Sequence, residues 1–188
     1  MLQKIVVIGP ESTGKSTLCE MLAQHYHTEW CAEFAREWLL TNGTAYTYDD
    51  LLTIAKGQVA LEEEYVRQVV DSGQLTVDRR KTDHRPPTTD HRQLLFLDTD
   101  MYVMKVWCEY VFNDCHHWIL NRIAERKYDL YLLCKPDLPW VKDELREYPD
   151  EKPRQELYHI YRDLLVQQHV PWVEISGSYG ERLARAVE

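Results

Sequence analysis

The chain has 188 residues, 44% hydrophobic and 28% charged, with a formal net charge of −9. That length suits one domain around one core, and no apolar run approaches the roughly 20 residues of a membrane-spanning helix. The acidic balance argues against general nucleic-acid binding. Five scattered cysteines without a C-x-x-C pair read as reduced, packed thiols of a cytoplasmic protein. The histidine pairs His25/His27 and His116-His117 lack a third ligand at zinc spacing and read as surface or half-buried groups.

Lys4–Ile8 is a short apolar, β-branched run that predicts a buried parallel strand. It begins almost at the N-terminus, so no signal or transit peptide is expected. Gly9-Pro10-Glu11-Ser12-Thr13-Gly14-Lys15-Ser16-Thr17 follows and fits G-x-x-x-x-G-K-[ST], the phosphate-binding P-loop. Leu18, Met21, Leu22 and Tyr26 then repeat at helical spacing. Strand, glycine loop and helix together are what the motif requires. Backbone N–H groups of the loop and the positive end of the helix hold an anion. Lys15 reaches the β/γ-phosphates of ATP, and the Ser16 hydroxyl can bind Mg²⁺.

Thr28–Ala32 predicts a second strand, and Glu33–Leu40 a helix stopped by Asn42-Gly43. A long helix is expected from Asp49 to about Val70, ended by Asp71-Ser72-Gly73. Asp78–Arg92 is polar and Pro-interrupted. It reads as an exposed loop, either merely solvated or an anion-binding flap. Gln93–Asp100 is an apolar strand ending in carboxylates. Helices are expected over about 101–111 and 114–126, then a strand over Asp129–Cys134. Residues 137–153 read as a charged, Pro-punctuated lid. A helix over Glu151–Gln168, a strand over Val170–Ile175 and a helix from Tyr179 complete the chain. Alternating strands and helices predict an α/β P-loop NTPase fold: one domain over 1–188, a parallel sheet of about five strands covered on both faces, and a helical lid.

Asp98 stands where the strand beside the P-loop strand ends, the place of a metal-holding carboxylate. Asp100 lies two residues on. In an extended chain it would face the same way and could divide the roles of metal ligand and base with Asp98; equally, it could cap the helix at Met101. Glu33 and Arg36 share a helix face at the carboxyl end of a strand. They are either acceptor-binding groups or a surface ion pair. Arg146 and Arg154 in and after the lid are candidates for stabilising the moving phosphoryl group, or are solvated helix charges. Gly177-Ser178 could contact a nucleotide base through the backbone. No N-K-x-D, D-x-x-G or L-S-G-G-Q occurs, which argues against GTPases and ABC proteins, and the chain is short for an AAA-type motor with its helical lid domain. A small-molecule kinase is the leading reading, with a regulatory NTP-binding module that hydrolyses ATP slowly as the other. A regulatory module needs no acceptor pocket.

Several stretches resemble one family, the nicotinamide riboside kinase domain of NadR. They are Gly9–Thr17, Glu33-Phe34-Ala35-Arg36-Glu37, Tyr48-x-Asp50 with Ile54–Gln58, Asp98-Thr99-Asp100, and Pro136-Asp137-x-Pro139-Trp140-x-x-Asp143-x-x-Arg146. The likeness runs through nearly the whole chain in order. It implies a P-loop nucleoside-kinase fold and ATP-dependent phosphorylation of the ribose 5′-hydroxyl of nicotinamide riboside. It implies Lys15 and Ser16 on ATP·Mg²⁺, and Asp98 near metal and hydroxyl. Glu33, Arg36, Tyr48 and Asp50 would surround the nucleoside, with Arg146 in the lid. The family often places a ring-stacking Trp directly before the Glu of its Glu-Phe-Ala-Arg-Glu-like motif. Here that residue is Ala32, and Trp30 shares its strand face, so either Trp30 takes over the stacking or the base pocket differs and the chain is a kinase of a different nucleoside. The adenylyltransferase domain usual in NadR proteins has no counterpart here, so neither that activity nor DNA binding is expected.

Overall fold

The computed structural model describes residues 2–80, 93–145, 148 and 150–188, the backbone alone for 72–80. Five parallel strands, β1 Leu2–Ile8, β2 Trp30–Cys31, β3 Gln93–Asp98, β4 Leu130–Cys134 and β5 Trp172–Ile175, form one sheet in the order β2-β3-β1-β4-β5. Around it lie α1 Lys15–Tyr26, α2 Phe34–Asn42, α3 Tyr48–Arg80, α4 Met101–Phe112, α5 His117–Glu125, α6 Glu151–Val166 and α7 Tyr179–Val187.

β1 is central and apolar on both sides because both sides are covered. Val6 and Ile8 pack with Val103 and Val106 of α4 and with Leu157, Tyr161 and Leu165 of α6. Ile5 and Val7, one residue out of phase, pack with Leu18, Cys19 and Leu22 of α1, and Leu183 and Ala186 of α7 border that cluster. Ala35, Leu51, Ile54, Met104 and Ile119 knit α2 to α5 into a third cluster. All five thiols are buried and free. β1's own crossover runs through α1 to β2 on one face of the sheet, while those leaving its neighbours β3 and β4, with α4 and α6, run the opposite way on the other face. Such a switch point opens a crevice at the carboxyl ends of the strands.

Three expectations are corrected. α3 does not stop at Asp71-Ser72-Gly73 but runs to Arg80. A helical Gly costs only about 1 kcal/mol against Ala, and without a Pro nothing there blocks the next hydrogen bond. The rest of the 78–92 loop, from 81 on, lies outside the described residues. β3 ends at Asp98, and Thr99 takes φ 75°. The chain therefore turns, and Asp98 and Asp100 do not share a face. The lid has turns but no helix of its own among its described residues before α6 begins at Glu151. Pro136 and Pro139 each remove an N–H and fix φ, which keeps the chain just after β4 out of a helix.

Candidate active site

The P-loop leaves β1 at Gly9, whose φ is 144° and whose added Cβ would stand 2.6 Å from the Cys134 carbonyl oxygen. Only glycine fits that close approach. Gly14, at φ 74°, leads into α1, which has no side-chain cap. The first N–H groups of the helix are therefore left for an anion. Thr13 Oγ1 and Lys15 Nζ both donate to the Pro10 carbonyl, at 2.8 and 2.9 Å, closing the loop on itself.

Residues 9–17 form one wall of a cavity of about 520 Å³. Asp98 stands at its floor. Ser16 Oγ donates to Asp98 Oδ2 at 2.5 Å, while Asp98 Oδ1 is buried without a partner among the described residues. Burial raises the pKa of this carboxyl, opposed by the Lys15 charge and the Ser16 bond. An orphaned anionic oxygen beside a serine hydroxyl fits a divalent cation, because a buried charge needs a compensating partner.

The far wall comes from the β2–α2 junction and from α4. Trp30, Ala32, Glu33 and Arg36 all line the cavity, joined by Val103, Val106, Trp107 and Tyr110. Trp30 and Ala32 thus share the cavity side, as strand alternation requires. Glu33 is pushed up to about 7, mainly by burial and then by the Asp98 charge, with Lys15 and Arg36 pulling the other way. It is a cavity carboxyl that can exchange a proton near neutral pH.

A strap, described over 139–145 and at Tyr148, crosses the mouth. Val141 N donates to Ser12 Oγ (3.1 Å), and Glu11 accepts from Tyr148 N (2.7 Å) and Trp140 Nε1 (3.3 Å). Arg36 donates to both carboxylate oxygens of Asp143, at 3.3 and 2.8 Å.

Other predicted site residues fall elsewhere. Asp100 is buried and does not line the cavity; its carboxylate accepts from Tyr102 N (2.9 Å), capping α4, and from the Tyr131 hydroxyl (2.7 Å). The capping role holds, and the shared-face role with Asp98 does not. Asp50 accepts from Thr47 N and Oγ1 at 2.8 and 2.7 Å, starting α3. The Tyr48 ring stacks on His116 at 3.7 Å. Neither residue is on the cavity wall. Thr47-x-x-Asp50 was legible as a helix-starting pair of the capping-box type. Arg154 sits on the buried face of α6 a turn before Leu157; its Nε and Nη1 have no acceptor among the described residues, and it too is off the cavity wall. Arg146 lies outside the described residues.

Sequence reading missed Arg182 and Trp107, and it placed Gln58 in the family motif without the role it plays in the site. Arg182 on α7 is wholly buried. It donates to the carbonyls of Gly177 (2.8 Å), Thr13 and Lys135 (both 3.1 Å) and to the Asp137 carboxylate, tying the P-loop to the ends of β4 and β5. Asp137 in turn accepts from Gly177 N at 2.7 Å. Gln58 on α3 accepts from Phe34 N at 2.7 Å and donates to Ala32 O at 3.3 Å, bracing the turn that carries Glu33. Trp107 is fixed by its Nε1 donating to the Tyr46 hydroxyl at 2.9 Å. Its signal was the 103, 106, 107, 110 spacing, one helix face with the same period as core.

A family model described as an AAA domain matches residues 4–182. The trifunctional NAD biosynthesis/regulator proteins NadR of Escherichia coli (strain K12) and Salmonella typhimurium (strain LT2) are each 24% identical over 192 residues, which takes in 100% of this chain and 42% of theirs. The chain thus spans less than half the length of these relatives. Among solved structures, a NadR protein in complex with NR superposes with a TM-score of 0.71 at 21% identity, over 98% of this chain and 48% of that one. Thymidylate kinase from Ehrlichia chaffeensis gives 0.60 at 11% identity, over 99% and 97%. These likenesses carry the fold, that of P-loop kinases. The chain's shortness for a motor with a helical lid domain does not bear on the family match, which covers the α/β core.

Proposed function

The chain belongs to the AAA-domain family, and from that premise we propose that it is an ATP-dependent kinase of nicotinamide riboside, phosphorylating the ribose 5′-hydroxyl to give nicotinamide mononucleotide. The observation that carries the proposal is convergence in one cavity. The phosphate loop, the Ser16–Asp98 pair and the Trp30/Glu33/Arg36 wall all line it.

The P-loop amides and Lys15 hold the ATP phosphates. Ser16 and Asp98 hold Mg²⁺, which when bound neutralises charge on the β/γ-phosphates. Glu33 takes the proton of the 5′-hydroxyl as the O5′–phosphorus bond forms and the bond from phosphorus to the β,γ-bridging oxygen breaks, releasing ADP. A carboxyl held near 7 suits that exchange better than an ordinary one. Lys15 stays on the transferred group, where charge grows in the transition state. The strap keeps water out. Arg154, whose Nε and Nη1 are buried without an acceptor among the described residues, remains a candidate for the phosphates, as does Arg146.

Choice of acceptor follows from the wall. Glu33, Asp98 and Asp143 outnumber Lys15 and Arg36 around it, which favours a cationic substrate. Trp30 and Trp107 offer aromatic faces, which attract a flat pyridinium by about 0.5–2 kcal/mol. The test is kcat/KM for nicotinamide riboside, uridine and adenosine, in wild type and Trp30→Ala. The proposal expects nicotinamide riboside to lead and its lead to shrink in the variant. A wild-type preference for uridine or adenosine would reject the nicotinamide assignment.

A further inference from the structure

The strap is tethered at two places of different function. Ser12 and Glu11, which hold Val141 N, Trp140 Nε1 and Tyr148 N, belong to the phosphate loop. Arg36, which holds Asp143, belongs to the opposite wall. The strap therefore bridges the nucleotide side and the acceptor side of the same cavity. Asp143 also accepts from Leu145 N at 3.1 Å, so one carboxylate shapes the strap's own turn and fixes Arg36.

The Arg36–Asp143 pair is bidentate and therefore directional. It joins residues 107 apart in sequence. Yet the Arg36 side chain is half exposed, and exposed ion pairs add little to folding stability. The pair's geometry matters more to the site than its energy does to the fold. Arg36 has five N–H donors. Among the described residues its acceptor is Asp143 alone, so further donors are left for an acceptor molecule in the cavity.

We propose that Asp143 is a positioning residue for the transfer described above: through Arg36 it couples the acceptor wall to the strap, so that acceptor placement and exclusion of water from ATP are one structural event. This rests on the kinase reading. Without Asp143, the strap loses its tether on the acceptor side and Arg36 loses its orientation. Two consequences follow together. The acceptor binds less well, and more γ-phosphoryl groups form their new bond with water, giving ADP and inorganic phosphate in place of phosphorylated riboside.

The experiment compares wild type, Asp143→Asn and Asp143→Glu. It measures inorganic phosphate and phosphorylated nicotinamide riboside in the same reactions, the melting temperature, and amide exchange at Val141 and Tyr148 in the ligand-free protein. Asp143→Asn is expected to raise the ratio of hydrolysis to transfer and the acceptor KM severalfold and to speed both amides, with the melting temperature nearly unchanged. Asp143→Glu is expected to recover part of each effect. A parallel fall of transfer and hydrolysis at constant ratio, with a lowered melting temperature, would mark Asp143 as merely structural and overturn the proposal. If wild type phosphorylates no riboside, the kinase reading fails by itself. The tether is then judged by the amides: unchanged exchange in Asp143→Asn overturns it, and faster exchange supports it.

Discussion

Replacing Gln58 by Leu isolates how the acceptor wall is held. Gln58 is 4% exposed, deep in α3. Its Oε1 accepts from Phe34 N, the first amide of α2, and its Nε2 donates to Ala32 O. Glu33 occupies the N-cap position of α2 without a side-chain cap bond, so Gln58 does from another helix what a capping side chain does locally. Leucine keeps the volume but strands both backbone groups. Each unsatisfied buried group costs about 1–3 kcal/mol. Both lie at a partly buried turn, where water can partly replace the lost bond, so the sum is set at about 2–3 kcal/mol. For a domain of this size, with about 2–4 °C per kcal/mol, the melting temperature should fall by roughly 5–10 °C. Because the turn carries Glu33 and Arg36 but not the P-loop, the KM for the riboside should rise while that for ATP stays within about twofold. Thermal melts and steady-state kinetics on the same preparation test this. A melting temperature within 2 °C of wild type and an unchanged riboside KM would refute the bracing role.

Lys15→Ala should weaken ATP binding by about 1.5–3 kcal/mol, roughly ten- to hundredfold, without unfolding the loop, as titration calorimetry and melting would show. Asp98→Asn should abolish the Mg²⁺ dependence of turnover over the millimolar range; an unaltered Mg²⁺ titration would remove Asp98 from the metal site. Glu33 titrates at about 7 in the folded state against 4.5 ordinarily, so the native state binds this proton more tightly. Its stabilising effect is full below about pH 4.5 and is lost as pH rises through 7. Glu33→Gln should therefore melt increasingly above wild type between pH 5 and 8. In wild type, kcat/KM for the riboside should rise towards pH 7 and level off, and the variant should lose that rise. A variant that melts below wild type at pH 8 contradicts the burial argument. Gly57→Ala would drive a Cβ into the Phe34 ring, forcing α2 off α3; a lower melting temperature with a raised riboside KM is expected, and a neutral result would mean the α2–α3 contact is slack.

What could be read from sequence was what repeats locally. Lys4–Ile8 and Asp129–Cys134 announced buried parallel strands because continuous β-branched and aliphatic runs fit few other places. The P-loop carried its own geometry in Gly9 and Gly14. The Asp98/Asp100 pair was misjudged because its outcome hangs on one backbone angle, the positive φ of Thr99, which a threonine does not advertise. Tyr48 and Asp50 carry a family motif, yet here they build the start of α3, where Thr47 and His116 hold them. Arg182 was invisible for the opposite reason, and Gln58 was seen only as a residue of the family motif, not for its role. A lone Arg or Gln in an amphipathic helix looks like a solvated residue, and only the tertiary fold brings Thr13, Lys135 and Asp137, or Ala32 and Phe34, within hydrogen-bonding reach of it. The length of α3 was lost because Asp71-Ser72-Gly73 is a weak stop that neighbouring structure can override.

The central claim is that γ-phosphoryl groups of ATP go to a riboside hydroxyl and not to water. Incubating the protein with ATP·Mg²⁺ and nicotinamide riboside, and counting ADP and nicotinamide mononucleotide by mass spectrometry, tests it directly. The account predicts nicotinamide mononucleotide in step with ADP, and both products sharply reduced in Lys15→Ala. ADP and inorganic phosphate without any phosphorylated riboside would contradict it and leave an ATP-hydrolysing module in its place.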